Sequence, residues 1–356
     1  MKTRTHLFLV LSLASFACRD DTTNTSQPIN TIQPGKRNYV WSIDSIEYGN
    51  LPSTIQLESI WGSSSKDVWG AAGDAPDVRD CLWHYDGVKW SRATAGTPIT
   101  EFTGNKTVYA VWGSSKSDVW AAGRKINQGV LSGFLMHYDG MAWTDATPPS
   151  VSSLSTVLYI MDGARRDDIW AGGYEDAVHY DGSTWTAYRI ADSLTVASIT
   201  HGQGVTYFHL GSPWGKDTIY IFMFANSVFK MIDYTTITQR KFGGGLFVLG
   251  SKLKTMTNGI IGTTVKTDGS IDTNSWGREF TTPSFFRERY VQTSKNVFAV
   301  GQLNLSYHYN GTDWKQLIIS VPNNTVDPHA LLWGVWTDGN EVFICDTQNG
   351  IVYHGR

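Results

Sequence analysis

Four histidines in this sequence have the neighbours that acid–base or metal chemistry requires. Each is followed by a tyrosine and, in three of the four cases, by an aspartate; they are His84, His137, His179 and His308. An imidazole beside a carboxylate can transfer a proton near neutral pH or bind a transition metal. The place of these histidines in the chain decides between that chemistry and a structural role.

The histidines belong to a repeat. The phrase Asp-Val-Trp or Asp-Ile-Trp, followed by His-Tyr-Asp-Gly and a further Trp, occurs three times, and its first tryptophans are Trp69, Trp120 and Trp170. Their spacings of 51 and 50 residues suit a four-stranded blade and exclude most helical repeats. Residues that recur once per blade lie at equivalent sites around a ring and cannot converge on one ion. The histidines are therefore predicted to be structural.

Other repeated side chains receive structural roles for the same reason. The tryptophan that ends each repeat is predicted to pack between neighbouring sheets; these residues are Trp90, Trp143, Trp185 and Trp314. The aspartates before the first tryptophans are predicted to bind backbone groups in the turn between the first two strands; they are Asp67, Asp118 and Asp168. The pair Asp86-Gly87 is predicted to form a two-residue hairpin turn, because such turns require positive φ angles.

Composition and charge narrow the class of protein. A chain of 356 residues with 35 Gly, 15 Trp and 16 Tyr and hardly any helical periodicity is predicted to be all-β and a single domain. Its formal charge of −3, from 29 basic and 32 acidic side chains, provides no field to hold a nucleic acid. Cys81 and Cys345 are predicted to be buried thiols, with a disulfide as the alternative, because the repeat places them in non-equivalent strands.

The repeat continues in weaker form to the end of the chain. Four further units follow the three clear ones; they begin at or include Ile219-Tyr220, Gly259–Gly262, Asn296–Gly301 and Glu341–Phe343. The last unit lacks its outer strand, whereas Arg37–Trp41 have the pattern of an outer strand without its partners. The prediction is an all-β, seven-bladed β-propeller of four-stranded antiparallel blades over residues 37–356, with the N-terminal strand completing the last blade.

The repeat also carries a resemblance to a known group of proteins. Gly-Ser-Ser-x-x-Asp-Val-Trp followed by His-Tyr-Asp-Gly-x-x-Trp, as in Gly62–Trp90 and Gly113–Trp143, resembles repeats of uncharacterised bacterial secreted and surface β-propellers. It is distantly similar to the Asp-box (BNR) hairpins of sialidase-type propellers, which have one more residue between Asp and Gly than Asp86-Gly87. The resemblance implies the fold, and it implies no particular activity because the group has no single one.

The N-terminus resembles a bacterial lipoprotein signal. A short basic segment precedes the apolar stretch Leu7–Leu13, which is too short to span a bilayer, and Cys18 follows. The resemblance implies a signal peptide over residues 1–17 and lipid on Cys18. Ordinary cleavage of a secreted protein is the alternative, because Ser15 stands where the usual signal has an aliphatic residue.

Residues 18–36 are polar and are predicted to form a flexible tether. Within them, Arg19-Asp20-Asp21 resemble a surface-export signal of lipoproteins in the Bacteroidetes group. The predicted location is therefore the outer membrane, with display on the cell surface as an option. The protein is predicted to contact the membrane through its lipid alone.

A ligand site is predicted from topology and from variation between connections. In a four-stranded meander of strands A to D, the B–C and D–A connections emerge at one end and the A–B and C–D turns at the other. The former vary widely, as in Gly73–Asp80, Gly123–Gly133 and Gly173–Asp176, and variable loops on a rigid scaffold often carry recognition. The predicted ligand-binding residues are Asp74, Asp77, Arg79, Asp80, Arg124, Lys125, Asn127, Gln128, Tyr174, Glu175 and Asp176.

This polar face favours a non-enzymatic, monomeric binding protein for a polar ligand, such as a glycan or a cofactor, or for a protein partner in the envelope. No catalytic residue, metal or cofactor of its own is predicted. A scaffold for envelope complexes is one alternative. A polysaccharide-acting glycosidase or lyase is another; sialidase chemistry would need an arginine cluster and a Tyr–Glu pair. Its candidate residues are Arg79, Arg124, Arg287, Arg289, Glu175 and Glu288.

Overall fold

The chain folds into four-stranded antiparallel sheets whose inner strands surround a central channel. The computed structural model describes residues 32–46, 55–73, 81–93, 105–211, 218–236 and 244–356. Residues Gln33–Arg356 form one compact unit. Seven sheets are present in the described part, each running from strand A beside the channel to strand D at the outside. The predicted seven-bladed propeller is confirmed.

The first strand, β1 (Trp41–Ser45), belongs to the last blade, and four consecutive strands form each of blades 1 to 4. Blade 1 comprises β2 (Ser59–Ser64), β3 (Asp67–Ala71), β4 (Leu82–Tyr85) and β5 (Trp90–Arg92). Blade 2 comprises β6 (Asn105–Ser115), β7 (Asp118–Asn127), β8 (Val130–Tyr138) and β9 (Trp143–Asp145). After the short α1 (Pro149–Ser152), blade 3 comprises β10 (Leu158–Arg165), β11 (Asp168–Gly173), β12 (Asp176–Tyr180) and β13 (Trp185–Arg189). Blade 4 comprises β14 (Thr195–Gly202), β15 (Val205–Gly211), β16 (Thr218–Ala225) and β17 (Val228–Thr236).

Blades 5 and 6 follow the same plan, and blade 7 combines both ends of the chain. Blade 5 comprises β18 (Leu246–Leu249), β19 (Lys252–Thr257), β20 (Gly259–Thr264) and β21 (Gly277–Thr281). Blade 6 comprises β22 (Phe286–Thr293), β23 (Asn296–Gly301), β24 (Ser306–Tyr309) and β25 (Trp314–Gln316). Blade 7 comprises β26 (Leu332–Thr337), β27 (Val342–Asp346), β28 (Ile351–Gly355) and β1. No helix among the described residues has the length and apolar character to cross a bilayer.

A histidine–aspartate pair stabilises the inside of each clear repeat. His84 Nε2 lies 2.7 Å from Asp67 Oδ1, and the imidazole packs on Trp69 with ring centroids 4.1 Å apart. The next two blades contain the same pair at 2.8 and 2.9 Å, as His137–Asp118 and His179–Asp168. These histidines are thus held within separate blades, in agreement with a structural role. The prediction of backbone partners for the aspartates is wrong, because their carboxylates bind the histidines instead.

The Asp-Gly turn is a four-residue loop, Asp86–Lys89, and not the predicted two-residue turn. Asp86 Oδ1 accepts the N–H groups of Val88 and Lys89, both at 2.9 Å. Gly87 alone in this loop has a positive φ, of 94°. The repeat therefore needs an aspartate as acceptor for turn N–H groups and a glycine for its backbone conformation.

Tryptophans of the outer strands pack between neighbouring sheets, as predicted. Trp143 of blade 2 meets Trp69 of blade 1 edge to face at 5.2 Å, and Trp185 of blade 3 meets Trp120 of blade 2 in the same way at 5.2 Å. All four rings are buried. Such edge-to-face pairs stabilise the sheet interface beyond the burial of their area. The thiols of Cys81 and Cys345 are also buried and are not joined in a disulfide, which confirms that prediction.

The ring is closed by the N-terminal strand, although this strand starts later than predicted. β1 pairs antiparallel with β28, from Trp41 opposite Gly355 to Ser45 opposite Ile351. The segment before β1 contacts blade 6, where Arg37 Nε donates to His308 Nδ1 at 3.2 Å. Burial and the charge of Arg37 lower the pKa of His308 to about 4. The imidazole is therefore neutral at pH 7 and accepts this bond.

The predicted start of the fourth unit is wrong, whereas the residues assigned to the fifth unit do lie in blade 5. Ile219 and Tyr220 lie in β16, which is the third strand of blade 4, and Gly259–Gly262 lie in β20, the third strand of blade 5. In blade 4 the register places Val205-Thr206-Tyr207 where the clear repeats have Asp-Val-Trp. The sequence marker of the second strand is therefore missing, and the 50-residue period alone points to the wrong strand.

Candidate functional site

Seven A strands line a central channel with a volume of about 710 Å³. They are β2, β6, β10, β14, β18, β22 and β26, and each contributes residues to the channel wall. Every A strand follows a D–A connection. Its first residues therefore lie at the end of the channel where the B–C and D–A connections emerge, which we call the loop face.

A β-bulge interrupts the A strands near the loop face. In β6, Val108 and Ala110 pair with consecutive residues of β7, so that Tyr109 is an extra residue. Equivalent register shifts occur in four other A strands, and their extra residues are Tyr159, Ala197, Arg287 and Trp333. In blade 1, Glu58 has the equivalent position, since its N–H binds the carbonyl of Ala71, the partner of Ser59. We call these residues the bulge ring: Glu58, Tyr109, Tyr159, Ala197, Arg287 and Trp333.

The bulge ring places side chains of different chemistry at equivalent positions of six blades. A bulge re-aims one side chain while the rest of the strand keeps its pairing. All six residues line the channel, and blade 5 contributes Gly244 and Gly245 to the same wall. The ring thus presents an acid, two phenols, an indole and a guanidinium, with small residues in blades 4 and 5. These groups are carried by strands of a rigid scaffold and not by loop tips.

Contacts between neighbouring blades orient the bulge ring. Tyr109 and Tyr159 meet edge to face with ring centroids 5.2 Å apart, and Arg124 lies 5.8 Å over the Tyr109 ring. The guanidinium of Arg287 lies 5.3 Å from the ring centre of Trp333. Tyr159 is 47% exposed and Arg287 is exposed as well. Both side chains are therefore accessible to a ligand that arrives at the loop face.

Arg289, two residues further along β22, joins several blades inside the channel. Its Nε and Nη2 donate to the main-chain carbonyls of Leu246 and Ile199, both at 2.6 Å. Its Nη1 pairs with Glu288 at 2.6 Å, and Asp162 Oδ2 lies 3.6 Å from Nη2. These partners belong to blades 3, 4, 5 and 6. Arg289 is 12% exposed, and its donors hold the channel wall together.

Four of the predicted ligand residues, Asp74, Asp77, Arg79 and Asp80, lie outside the described residues, as does Cys18. The predicted blade 2 loop, 123–133, is a continuation of the β7–β8 hairpin. Its two-residue turn, Gln128-Gly129, has φ values of 49° and 81°, as a primed hairpin turn requires. Asn127 and Gln128 are exposed at this tip, and Lys125 Nζ lies 3.7 Å from Asp145 Oδ2. Arg124 alone among these hairpin residues is shown to contact the bulge ring.

The three predicted residues of blade 3 connect segments of the loop face to one another. The carbonyl of Tyr174 accepts the hydroxyl of Thr156 at 2.9 Å. Glu175 forms an ion pair with Arg189, and Asp176 is 5% exposed with Arg189 at 3.6 Å. These contacts stabilise the loop face from within. A direct contact of these residues with a ligand stays a prediction.

The arginines that sialidase chemistry would use have different surroundings in the structure. Arg287 packs on Trp333, whereas Arg289 binds main-chain carbonyls and Glu288. Glu175, on another blade, is paired with Arg189. Among the described residues there is no group of three or more His, Cys, Asp and Glu side chains arranged to hold a metal ion.

Most of the bulge ring was not predicted from the sequence, because the predicted ligand residues were taken from the connections between strands. A signal was present in the A strands of blades 1, 2 and 7, where the residue three positions before Trp61, Trp112 and Trp336 differs while the residues that follow it are similar. Glu58 and Tyr109 occupy that position in Glu-Ser-Ile-Trp and Tyr-Ala-Val-Trp, and Trp333 occupies it in Trp-Gly-Val-Trp. The bulge itself is visible only from strand pairing.

No protein-family model matches the chain, and no curated protein matches it. Solved structures do match. YCF48 from Cyanidioschyzon merolae is 13% identical with a TM-score of 0.59, and the match covers 89% of this chain and 99% of that one. A structure of YCF48 bound to D1 peptide is 14% identical with a TM-score of 0.59, covering 91% and 99%. Catalytically inactive virginiamycin B lyase from Staphylococcus aureus with quinupristin is 14% identical with a TM-score of 0.60, covering 89% and 99%. Identities this low show a shared fold alone.

Proposed function

We propose that the protein is a non-enzymatic binding propeller of the cell envelope, whose polar ligand or protein partner binds at the bulge ring on the loop face. The observation that carries this proposal is the ring itself. In six blades the equivalent position of the A strand carries side chains of different chemistry, from Glu58 to Arg287, and all six side chains line the channel. Structural demands on a repeated strand would favour a repeated residue.

The bulge ring has the properties of a recognition site. Ligand pockets of about 300–1,000 Å³ are typical for small molecules, and the channel has about 710 Å³. Tyr159 and Trp333 offer flat apolar surface, while Glu58 and Arg287 supply opposite charges that can orient a polar ligand. Because the side chains stand on paired strands, little ordering entropy opposes binding.

Two of the similar structures contain a bound molecule: YCF48 holds a D1 peptide and the Staphylococcus aureus lyase holds quinupristin. They support the proposal to the extent that propellers of this shape accommodate ligands. The class of ligand that this chain binds is inferred from the side chains of its own bulge ring.

A screen by thermal shift tests the proposed site. A glycan, cofactor or peptide that binds the folded state is expected to raise the melting temperature by mass action. The double variant Tyr159→Ala/Trp333→Ala is expected to weaken that binding about thirtyfold or more, since hot-spot aromatics contribute about 2 kcal/mol or more. Met141→Ala is the control, because Met141 is 81% exposed in a C–D turn at the other end of the blades.

Equal affinity of the double variant and the control for a ligand found in the screen would contradict a site at the bulge ring. If the wild type converts that ligand to a product and the double variant does not, the protein is an enzyme and the proposal of a non-enzymatic binding protein is wrong. A hit limited to large protein partners would favour the scaffold alternative.

The envelope location is part of the proposal and rests on the N-terminal signal and Cys18. Cells that express the protein are expected to incorporate labelled palmitate into it, and Cys18→Ala is expected to abolish the label because the other two cysteines, Cys81 and Cys345, are buried. Absence of label from the wild type would favour ordinary cleavage of a secreted protein, and label in the Cys18→Ala variant would place the lipid on another residue; either result contradicts an anchor at Cys18.

A further inference from the structure

Arg287 is an exposed guanidinium without an acidic partner in the part of the chain that the structure describes. It is the bulged residue of β22, and no carboxylate of the described residues lies within 4.0 Å of it. Arg289, on the same strand, is by contrast bound to Glu288 and to two carbonyls. The same strand therefore carries one arginine that stabilises the fold, Arg289, and one that is accessible to a ligand, Arg287.

Arg287 makes a cation–π contact with Trp333. The guanidinium carbon lies 5.3 Å from the centre of the Trp333 ring, within reach of the attraction between a cation and the face of an indole. The N–H donors lie along the edge of the planar guanidinium, where two of them can form parallel hydrogen bonds to one carboxylate. The contact also limits the rotamers of a long side chain and so reduces the entropy lost on binding.

Large apolar side chains are exposed on the connections beside Arg287. Phe285 is 44% exposed and immediately precedes β22, two residues before Arg287. Leu303 is 52% exposed and has a φ of 58°, a conformation that residues with a side chain rarely adopt. Backbone bonds link the segments, because Gln302 N–H binds the carbonyl of Phe285 at 3.0 Å. The B–C connection of blade 6 is thus fixed with its leucine outward.

The same connection is joined to the segment that leads to Trp333. Asn304 N–H binds the carbonyl of Ala330 at 2.9 Å. Phe285, Leu303, Arg287 and Trp333 therefore belong to three segments that hydrogen bonds hold side by side; we call these four residues the anchor patch. A single cation next to apolar side chains is complementary to one carboxylate beside an apolar group.

The surroundings disfavour a polyanion as the occupant. Glu58 belongs to the same ring, Glu288 follows Arg287 directly, and the formal charge of the whole chain is −3. A phosphate polymer or a run of acidic residues would be repelled by these charges. An extended chain with one acidic residue meets the single guanidinium and can place its neighbouring side chain on Phe285 or Leu303.

We infer that the anchor patch binds an extended segment of a partner polypeptide in which one Asp or Glu stands beside a large apolar residue. Arg287 binds the carboxylate, and Phe285 and Leu303 contact the apolar side chain. This inference rests on the proposed function and names the class of its ligand.

Selection from a random library of 12-residue peptides displayed on phage, with the immobilised protein as bait, tests the inference. The selected peptides are expected to share an acidic residue next to Leu, Ile, Phe or Met. Arg287→Gln is expected to weaken their binding about 10- to 100-fold, as loss of a charge-assisted bidentate contact does. Arg287→Lys keeps the charge without the planar fork and is expected to give a smaller loss.

Arg165→Gln is the matched control for charge, because Arg165 is exposed at the end of β10, next to the A–B turn of blade 3 and at the other end of the channel. Selected peptides without an acidic preference, or peptides that bind Arg287→Gln as well as the wild type but lose affinity for Tyr159→Ala, would overturn the inference and leave the binding function intact. Arg287-dependent binding of oligogalacturonate with no peptide selected would replace the polypeptide by an acidic glycan. Failure of the peptides and of the whole thermal-shift panel would overturn both proposals.

Discussion

Replacement of Trp41 by alanine is expected to reduce the free energy of unfolding by about 3–5 kcal/mol, the usual cost of truncating a buried Trp or Phe. Trp41 is 5% exposed, and it packs in the core cluster between blades 6 and 7 with Val300 and Tyr353 among its members. It is also the first residue of the strand that closes the ring, opposite Gly355. Loss of the Trp41 indole weakens the contact that holds both ends of the chain in one sheet.

Val40→Ala is the control for this experiment. Val40 precedes Trp41 and exchanges backbone bonds with Arg356, but its side chain is 74% exposed. Its truncation is expected to change stability by less than about 0.5 kcal/mol. Urea denaturation followed by tryptophan fluorescence and by circular dichroism measures both variants. Similar small losses in the two would show that β1 contributes little to closure.

Arg289→Ala is expected to destabilise the propeller by about 3 kcal/mol, because one partner of a largely buried ion pair is removed. The Glu288 carboxylate would lose its charged partner, and the carbonyls of Leu246 and Ile199 would lose their donor. These groups lie on three different A strands. Loss of the Arg289 guanidinium therefore removes contacts between blades in the channel wall as well as the ion pair with Glu288. Denaturation in urea at pH 7 provides the measurement.

Arg287→Ala, on the same strand, provides the comparison for Arg289. Its guanidinium is exposed and contacts one indole, so the substitution is expected to change stability by less than about 0.5 kcal/mol while it weakens ligand binding. Two arginines separated by one residue thus differ in what they support, one the fold and the other binding. Equal destabilisation by both substitutions would contradict this division.

The sequence alone determined the architecture, because a propeller repeats the same local demands in every blade. Each clear repeat needs His and Asp inside the blade, Trp between sheets, and Asp-Gly in the C–D turn, and such demands leave a visible period. The complementary ends of the chain likewise indicated closure by an N-terminal strand. Where blade 4 replaces Asp-Val-Trp by Val205-Thr206-Tyr207, the period lost its marker, and the strand assignment failed with it.

The candidate site was decided by the tertiary structure. Tyr109 and Tyr159 are 50 residues apart in sequence, and Arg289 binds the carbonyl of Ile199 from 90 residues away. A bulge arises from the pairing of an A strand with its B strand, so neither strand by itself reveals which residue is extra. Only ring closure brings these positions around one channel. Local sequence patterns specify strands and turns, whereas a site assembled from one residue per blade exists only when all blades are in place.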